Sequence, residues 1–427
     1  MSEAKTFAKN TFFNYLSKTV PAGASFLFTL IISNYLGPEN YGIYNYLPAV
    51  LVGFATLLGG DFLNNLLWAF TARNKPKDLF RKVLIAEIFI IIAIFLAANL
   101  FGPSLMQLLG KNHQELLSIA SIFVLLTPVN TIFMTLFKAF NRFGKVLKAT
   151  LIENFTTLVF SAILIIVLKM GLEGAFIARF IAIATSLIFY YIQYKKLEFS
   201  KKKANPAEIK RFVSWNALAS FVKEFTNQIQ TIFLGVFINS YLIGLYYLGT
   251  KIVGLVLDSP VSAISEANFS KNSENYLKKD KISTQTSLTI KISIFATAAL
   301  GIFLLVVSPF VLNLLFPDFI ELYNYLPLFI LYSLIQSQGP MIKIFDSINK
   351  TKNNLKINIV MLLLTLAIII PLTFLFGLVG WLVSIIIATE IRYIVLLELL
   401  KKHGIKISVI PRAKDLRAIL ELAKKVI

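Results

Sequence analysis

A stripe of polar side chains runs along one apolar segment of the chain, 212–239. Its members follow one another at steps of 4, 3, 4 and 3: Asn216, Ser220, Lys223, Asn227 and Gln230. This spacing places all five on one face of an α-helix. The segment is long and apolar enough to cross a bilayer, where a polar face must meet other helices or water rather than lipid. Its amides and hydroxyl can replace the hydration of a ligand, and an ammonium group can pair with an anion.

Charged side chains also occur inside four other apolar segments, where they are costly and usually functional. They are Lys18, Asp61, Arg179, Lys251 and Asp258, and Glu224 lies next to Lys223 in the segment 212–239. We interpret Lys18, Lys223 and Lys251 as the lining of one cationic cavity. Arg179 would be an outer contact of the same ligand, and Asn14 would join the polar lining. The two aspartates would neutralise the lysines or carry a coupling ion, H⁺ or Na⁺.

A second interpretation of these residues involves no ligand. They would then form only hydrogen bonds and ion pairs between helices. Other charged residues lie close to predicted cytoplasmic ends of apolar segments, and we expect their side chains to reach the membrane interface. These are Glu87, Glu153, Glu266, Lys291, Glu390 and Arg392.

The composition identifies lipid as the solvent of this chain. Apolar residues make up 57% of the 427 residues and charged residues only 15%, whereas about a quarter of a soluble protein is charged. Cysteine is absent, which excludes a thiolate metal site. The only histidines are His113 and His403, in predicted connecting or tail segments, so we expect no histidine metal site and no His-based catalytic triad. The sequence shows no Gly-rich phosphate loop, nucleotide-binding motif or catalytic acid pair. We therefore expect a protein that is not an enzyme and has no cofactor.

Twelve segments are apolar and long enough to span a bilayer. They lie at 12–36, 41–70, 83–102, 115–137, 149–168, 172–194, 212–239, 241–268, 288–313, 319–342, 356–376 and 378–399. The termini and the loops on the same side of the membrane carry 34 Lys and Arg residues, and the opposite loops carry two, Lys111 and Lys169. This bias predicts a multi-pass protein of the cell membrane with both termini in the cytoplasm. It also accounts for the net charge of +20 without a nucleic-acid partner.

The two halves of the chain repeat short motifs. Asn34-Tyr35-Leu36 and Tyr41-Gly42-Ile43-Tyr44 return as Ser240-Tyr241-Leu242 and Ile243-Gly244-Leu245-Tyr246, and Gly171 returns as Gly377 at an offset of 206. Six spans in each half make the repeats parallel in the membrane, as in one class of transporter. We predict a six-helix bundle over 1–200, a linker over 201–211, a second bundle over 212–400 and a cytoplasmic tail over 401–427. The tail has an apolar face typical of a helix lying on the membrane, and a solvated tail is the alternative.

Several motifs resemble one known family. They are Lys9-Asn10-Thr11, then Leu36-Gly37-Pro38 followed by Tyr41-Gly42-Ile43-Tyr44, and Phe137-Lys138-Ala139-Phe140-Asn141-Arg142 before a basic loop. The sequence is similar to the polysaccharide-biosynthesis, O-antigen-flippase-like branch of the MATE/polysaccharide-transporter (MOP) superfamily. Members often carry Arg before the Leu-Gly-Pro, where this chain has Asn34-Tyr35.

The resemblance implies an all-α membrane protein with twelve transmembrane helices in two pseudosymmetric six-helix bundles around a central cavity. It also implies a flippase that moves a polyprenyl-linked oligosaccharide to the outer leaflet, with the lysines binding the phosphate groups. The expected partners are membrane lipids and this substrate, and the chain is expected to be a monomer. An association with glycan-assembly membrane proteins stays open. The alternatives are an ion-coupled multidrug-type exporter, a membrane-embedded polysaccharide-synthesis enzyme and a structural scaffold.

The predicted topology can be tested by labelling, because the chain has no cysteine of its own. Single cysteines placed near Lys202 and Lys279 should react with a membrane-impermeant maleimide only after the membrane is opened. Cysteines near Lys111 and Lys169 should react in intact cells. Labelling of the first pair from outside would contradict the predicted orientation.

Overall fold

The computed structural model describes residues 3–74, 76–108, 114–200, 206–259, 261, 279–342, 344–347 and 352–410. Within these ranges, side chains are not described at 3–22, 60–61, 69, 72–74, 101, 103–108, 114–117, 119, 123–124, 206–208, 210–216 and 346–347. Nearly all of the described chain is helical, and an isolated bridge joins Pro76 to Ser200. The chain divides into two compact units, Met1–Tyr247 and Leu248–Ile427. This division is based on contacts between residues, whereas the predicted linker at 201–211 is based on the sequence repeat. The predicted linker therefore stays a prediction.

Eight α-helices begin within the first unit. They are α1 (Glu3–Ala55), α2 (Asp61–Asn74), α3 (Lys77–Leu108), α4 (Gln114–Ala139), α5 (Phe143–Ser161), α6 (Gly171–Tyr194), α7 (Pro206–Phe237) and α8 (Ser240–Val253). The second unit continues with α9 (Lys279–Leu315), α10 (Leu326–Gln336), α11 (Ile344–Ser347), α12 (Lys352–Leu364) and α13 (Ile370–Lys402).

Eight helical stretches of the described residues are apolar and long enough to cross a membrane. The stretch Lys352–Lys402 covers two of the predicted spans, which meet at Gly377, where the backbone leaves helical geometry (φ 56°, ψ −132°). α1 likewise bends at Gly37 (φ 70°), where two predicted spans meet. The prediction of a multi-pass helical membrane protein is therefore confirmed, whereas the number of twelve spans stays a prediction.

The predicted span 319–342 does not form one continuous α-helix. The α-helical part is only Leu326–Gln336, with 3₁₀ turns at Pro317–Asn324 and Gly339–Met341 on either side. Proline lacks the N–H that an α-helix needs in its interior, so it begins each of these short elements or lies at their first turn. Apolarity predicted the span, and Pro327 and the Gly339-Pro340 pair mark the places where its helix is interrupted.

Wider π-helical turns interrupt four of the predicted spans. They lie at Thr56–Gly60, Ala162–Val167, Gly254–Asp258 and Thr365–Ile369, in the second, fifth, eighth and eleventh spans. The second span corresponds to the eighth in the repeat, and the fifth to the eleventh. Gly171 and Gly377, 206 residues apart, both have φ 56°. The two halves thus break their helices at corresponding places, and π-turns are frequent at functional sites.

Each unit has an apolar core of its own. In the first unit, Phe80, Phe133, Phe137 and Tyr190 belong to one buried cluster formed by α2 to α6. In the second unit, Ile290, Phe345 and Tyr393 belong to another. Large apolar side chains such as Phe89, Val306 and Phe374 are exposed, which suits a surface that meets lipid.

Gly377 offers a test of the helix break that the repeat predicts. Ala at a φ of 56° is strained by roughly 1 kcal/mol or more, although a Cβ there would meet no atom within 4 Å. Gly377→Ala should therefore lower the thermal unfolding temperature of the purified protein. Gly144→Ala is the matched control, because a Cβ there also meets nothing within 4 Å and its φ is not positive. It should leave the unfolding temperature unchanged or raise it slightly. Equal effects of the two variants would contradict the backbone explanation.

Candidate functional site

The polar stripe of α7 contains an ion pair. Lys223 Nζ lies 2.7 Å from Glu224 Oε1, and the Asn227 amide donates to Glu224 Oε2 at 3.4 Å. The Lys223 side chain is 49% exposed, whereas the Glu224 side chain is 11% exposed. The spacing of the stripe gave no role to Glu224, because this residue lies beside the stripe rather than on it. Its carboxylate joins Lys223 to Asn227 and balances the charge of the lysine.

The next residue along the helix fixes α7 to α1. The buried Gln228 amide donates to the Val50 carbonyl at 2.9 Å. A methyl group on Gly53 would lie 1.8 Å from Gln228 Oε1, so glycine is needed for this contact. About two helical turns farther along α7, a Cβ on Gly235 would lie 2.0 Å from the Tyr46 side chain. These contacts hold the polar stripe at a fixed rotation relative to α1.

The glycines of the repeated motif lie where α1 and α8 cross, and each packs against the helix that carries the other. A Cβ on Gly42 would lie 2.1 Å from the Ser240 carbonyl oxygen, and one on Gly244 would lie 2.0 Å from the Pro38 carbonyl oxygen. Both distances are too short for any side chain, so the two backbones cross in direct contact. The recurring Gly of the motif is therefore explained by packing, since small residues let helices approach closely in a membrane.

The other predicted site residues have varied surroundings. Arg179 on α6 is half-buried and its guanidinium hydrogen-bonds the Tyr44 side chain. Lys251 on α8 is exposed, and Ser220 and Gln230 are half-buried. The remaining four, Lys18, Asn14, Asp61 and Asn216, lie on helices, with side chains outside the described part of the structure. The predicted grouping of the three lysines therefore stays a prediction.

Asp258 belongs to a polar cluster within the second unit. The Ser333 hydroxyl on α10 donates to Asp258 Oδ1 at 2.8 Å. Farther along α10, Gln336 donates to the Tyr332 hydroxyl and accepts from the Tyr393 hydroxyl at 3.0 Å. These bonds link the π-turn after α8, α10 and α13 through their polar atoms.

The first unit has a comparable cluster between α4, α5 and α6. Ser186 donates to Asn130 Oδ1 at 3.2 Å, and Asn130 donates to Glu153 Oε2 at 3.0 Å. Asn130 and Gln336 are 206 residues apart, the offset of the repeat. In each unit an amide at this place accepts a hydroxyl hydrogen bond from the last helix of the half.

Several of the charged residues expected at the membrane interface have partners or are buried within the protein. Glu87 is fully buried, Glu153 is bound by Asn130, and Glu390 accepts a hydrogen bond from Gln338 at 3.1 Å. Lys291 is also buried, with 9% exposure. Glu266 lies outside the described residues. Contacts with neighbouring helices therefore give these groups partners or burial, and their place near the interface stays a prediction.

A family model described as polysaccharide biosynthesis protein matches residues 7–269, which is more than half of the chain. The chain belongs to this family. The match confirms the resemblance drawn from the Leu-Gly-Pro and Tyr-Gly motifs, both of which lie inside the matched range. No curated protein sequence matches the chain.

Solved structures show which fold this member of the family has. An inward-facing and an outward-facing multidrug resistance MATE family transporter of the MOP superfamily each align with a TM-score of 0.67, at 17% and 18% identity. They cover 92% and 93% of this chain and 94% and 95% of their own chains. A MOP superfamily transporter from Pyrococcus furiosus Vc1 aligns at 0.62, with 17% identity, over 93% of this chain and 95% of its own. The family member therefore has the fold of MOP superfamily transporters.

The sequence identified the polar and charged residues of the two clusters, such as Asp258, but not their hydrogen-bonding partners. Ser333 and Gln336 lie in an apolar span, and no spacing marks them as partners of Asp258 or of Tyr393. Asn130 carried a usable signal, because the repeat offset aligns it with Gln336. Comparing polar residues between the halves would have found this pair.

The crossing of the two glycine motifs can be tested by adding single methyl groups. Gly42→Ala and Gly244→Ala should each lower the thermal unfolding temperature, because the new Cβ would overlap a backbone carbonyl. Gly23→Ala is the control, since a Cβ there meets nothing within 4 Å. Normal stability of both crossing variants would show that the helices do not approach as described.

Proposed function

We propose that the chain is a flippase that moves a polyprenyl-linked oligosaccharide from the cytoplasmic to the outer leaflet of the cell membrane. The observation that carries the proposal is a match to a polysaccharide biosynthesis family over residues 7–269 in a chain with a transporter fold. Flipping requires no bond to be made or broken. The function therefore agrees with a sequence that lacks recognisable catalytic motifs.

The substrate of such a flippase is a diphosphate with a sugar chain on one side and a lipid on the other. Its phosphates need cations when they leave water, and its hydroxyls need hydrogen-bonding partners. The exposed Lys223 and Lys251 and the polar residues Ser220, Asn227 and Gln230 supply both kinds of group. Lys18 would add a third ammonium group from α1, and Arg179 would be an outer contact. The lipid tail would stay in the bilayer.

Charge exchange at Glu224 is a specific step in this proposal. In the structure, the Glu224 carboxylate forms an ion pair with the Lys223 ammonium at 2.7 Å. A phosphate would displace the carboxylate from an exposed lysine, and Asn227 would still hold Glu224 in place. Lys223 would in this way be kept paired before the substrate arrives.

Asp258 would serve the coupling ion in the second unit. Its carboxylate accepts the Ser333 hydrogen bond and can bind H⁺ or Na⁺ in the same place. Asp61 would have the corresponding role on α2. The ion would bias the transporter between its two states of access.

The proposed architecture has twelve spans in two parallel six-helix repeats, with both termini in the cytoplasm. Three matched features support it: the π-turns in corresponding spans, the pair Gly171 and Gly377, and the pair Asn130 and Gln336. Alternating access would then come from motion of one repeat against the other.

A multidrug-type exporter is the second candidate, because the aligned MATE structures are named as multidrug resistance transporters. Cationic drugs favour an acidic site, whereas the predicted lining here is cationic. The Pyrococcus furiosus transporter is described as having a binding pocket of reverse polarity that suggests a different function. A reversed polarity is what an anionic lipid-linked sugar would require.

Replacement of the lysines tests the flippase proposal. Lys18→Gln, Lys223→Gln and Lys251→Gln should each reduce glycan export at least about tenfold, since one charge-assisted contact contributes roughly 1.4 kcal/mol or more. The variants should remain in the membrane with near-normal thermal stability. Lys401→Gln, at the exposed end of α13, is the control and should export normally. Normal export by all three lysine variants would contradict the cationic site, and resistance to cationic drugs would favour the second candidate.

A further inference from the structure

The last described part of the chain is a strap, residues 405–410, that turns back from the end of α13. α13 closes with two hydrogen bonds, Gly404 N–H to Lys401 O and Ile405 N–H to Leu400 O, both at 3.0 Å. Gly404 has φ 78°, and Ile405 packs with Leu400 in the same buried cluster. This is the Schellman arrangement, in which glycine at a positive φ reverses the chain after a helix.

Helix α9 holds the strap with two hydroxyl groups. The Lys406 N–H donates to Ser283 Oγ at 3.2 Å, and the Ser408 N–H donates to Ser287 Oγ at 2.9 Å. The strap alternates like a β-strand, with Ile405 buried, Ile407 and Val409 packed against the core, and Lys406 and Ser408 exposed. The register of the strap therefore directs Lys406 away from the core.

A cavity of about 360 Å³ lies between the strap and the first turns of α9. Its lining consists of two lysines, three hydroxyl residues and one apolar residue: Lys291, Lys406, Ser283, Thr284, Ser287 and Leu288. Lys291 is only 9% exposed, whereas Lys406 is exposed at the opening. None of these six lining residues is acidic. The cavity therefore has two positive charges, one of them in a poorly hydrated position.

We propose that this cavity binds a phosphate group. Two ammonium groups offer charge-assisted hydrogen bonds to phosphate oxygens, and the burial of Lys291 strengthens its attraction to an anion. A neutral sugar would gain nothing from two adjacent ammonium groups, and a metal cation would be repelled by them. The phosphate would be the headgroup of an anionic membrane lipid or a free phosphate ion.

The three hydroxyls are already placed for a second role. Ser283, Thr284 and Ser287 donate to the carbonyls of Lys279, Asp280 and Ser283 at 2.9, 2.9 and 2.7 Å. Such bonds to the preceding helical turn are exchangeable, because rotation about χ1 redirects the hydroxyl. On binding, the Thr284 hydroxyl can leave the Asp280 carbonyl and donate to a phosphate oxygen instead. Ser283 and Ser287 can do the same while they still accept the N–H groups of the strap.

The site is separate from the flippase proposal and does not depend on it. It lies in the second unit near the predicted cytoplasmic end of α9, where Lys279 and Lys281 flank Asp280. Phosphate binding would connect α9 to the strap and would stabilise this end of the bundle. The consequence is a protein whose stability depends on an anion rather than on the transported substrate.

Thermal unfolding of the purified full chain tests the proposal through its intrinsic fluorescence. The protein is held in neutral detergent and titrated with phosphatidylglycerol, phosphatidylcholine, or sodium phosphate against sodium chloride at equal ionic strength. Lys406→Gln removes an exposed ammonium of the cavity, and Lys402→Gln removes an exposed ammonium outside the lining. We expect Lys406→Gln to require about tenfold more ligand for the same rise in unfolding temperature. Lys402→Gln should behave as the parent chain.

The ligand that stabilises the parent protein identifies the source of the phosphate. Stabilisation by phosphatidylglycerol alone supports a lipid headgroup, and stabilisation by sodium phosphate supports a free ion. Equal stabilisation by phosphatidylcholine and phosphatidylglycerol without any effect of sodium phosphate would overturn the proposal. So would equal responses of the two lysine variants, because these would indicate a general surface charge effect. Transport plays no part in the measurement, so its outcome is independent of the flippase test.

Discussion

A lipid solvent offers no hydrogen bonds, so a polar group of this chain inside the membrane is stabilised by a partner in the protein or by water. An unpaired buried polar group costs about 1–3 kcal/mol, which is a large fraction of the stability of a protein. Gln228 meets this constraint with the Val50 carbonyl, and Asn130 meets it with Glu153 and Ser186. Each of these bonds joins two helices. The requirement to satisfy polar atoms therefore also fixes which helices are neighbours and how they are rotated.

Packing without a hydrophobic driving force imposes a second constraint on the same helices. In lipid, close backbone contact replaces the exclusion of water, so glycine is placed where helices cross. Gly42 and Gly244 show this most directly, since each would place a Cβ about 2 Å from a carbonyl oxygen of the other motif. The repeat kept its glycine in both halves where the backbones meet. Gly235 likewise lets α7 approach α1 closely, because the large side chain of Tyr46 on α1 fills the space that a side chain at 235 would take.

The sequence predicted the class of fold and the polar face of α7, because apolar length and helical spacing are local properties. It failed where the outcome depended on contacts between distant segments. Glu153 and Glu390 were expected at the interface from their positions along the chain, which do not show that their partners come from other helices. The predicted span 319–342 is not one continuous helix for another reason, since the prolines within it lack the N–H that a helix interior needs. Glu224 was recognised as a charge inside the span but was given no role, because the stripe was defined by spacing and its carboxylate reaches Lys223 from the adjacent position.

The polar groups differ in how easily they can exchange partners, and this difference separates scaffold from site. The amide of Gln228 is buried and bound to a backbone carbonyl, so a ligand could displace it only by parting α1 from α7. Lys223 is half exposed and its partner is the next residue on the same helix, so exchange of Glu224 for a phosphate needs only side-chain rotation. An anion carrier needs ammonium groups of this kind, which are neutralised before the ligand binds and remain accessible to it. The two lysines of the cavity beside α9 differ in the same way. Lys406 is accessible and would make the first contact with a phosphate, whereas Lys291 is poorly hydrated and would hold the bound phosphate.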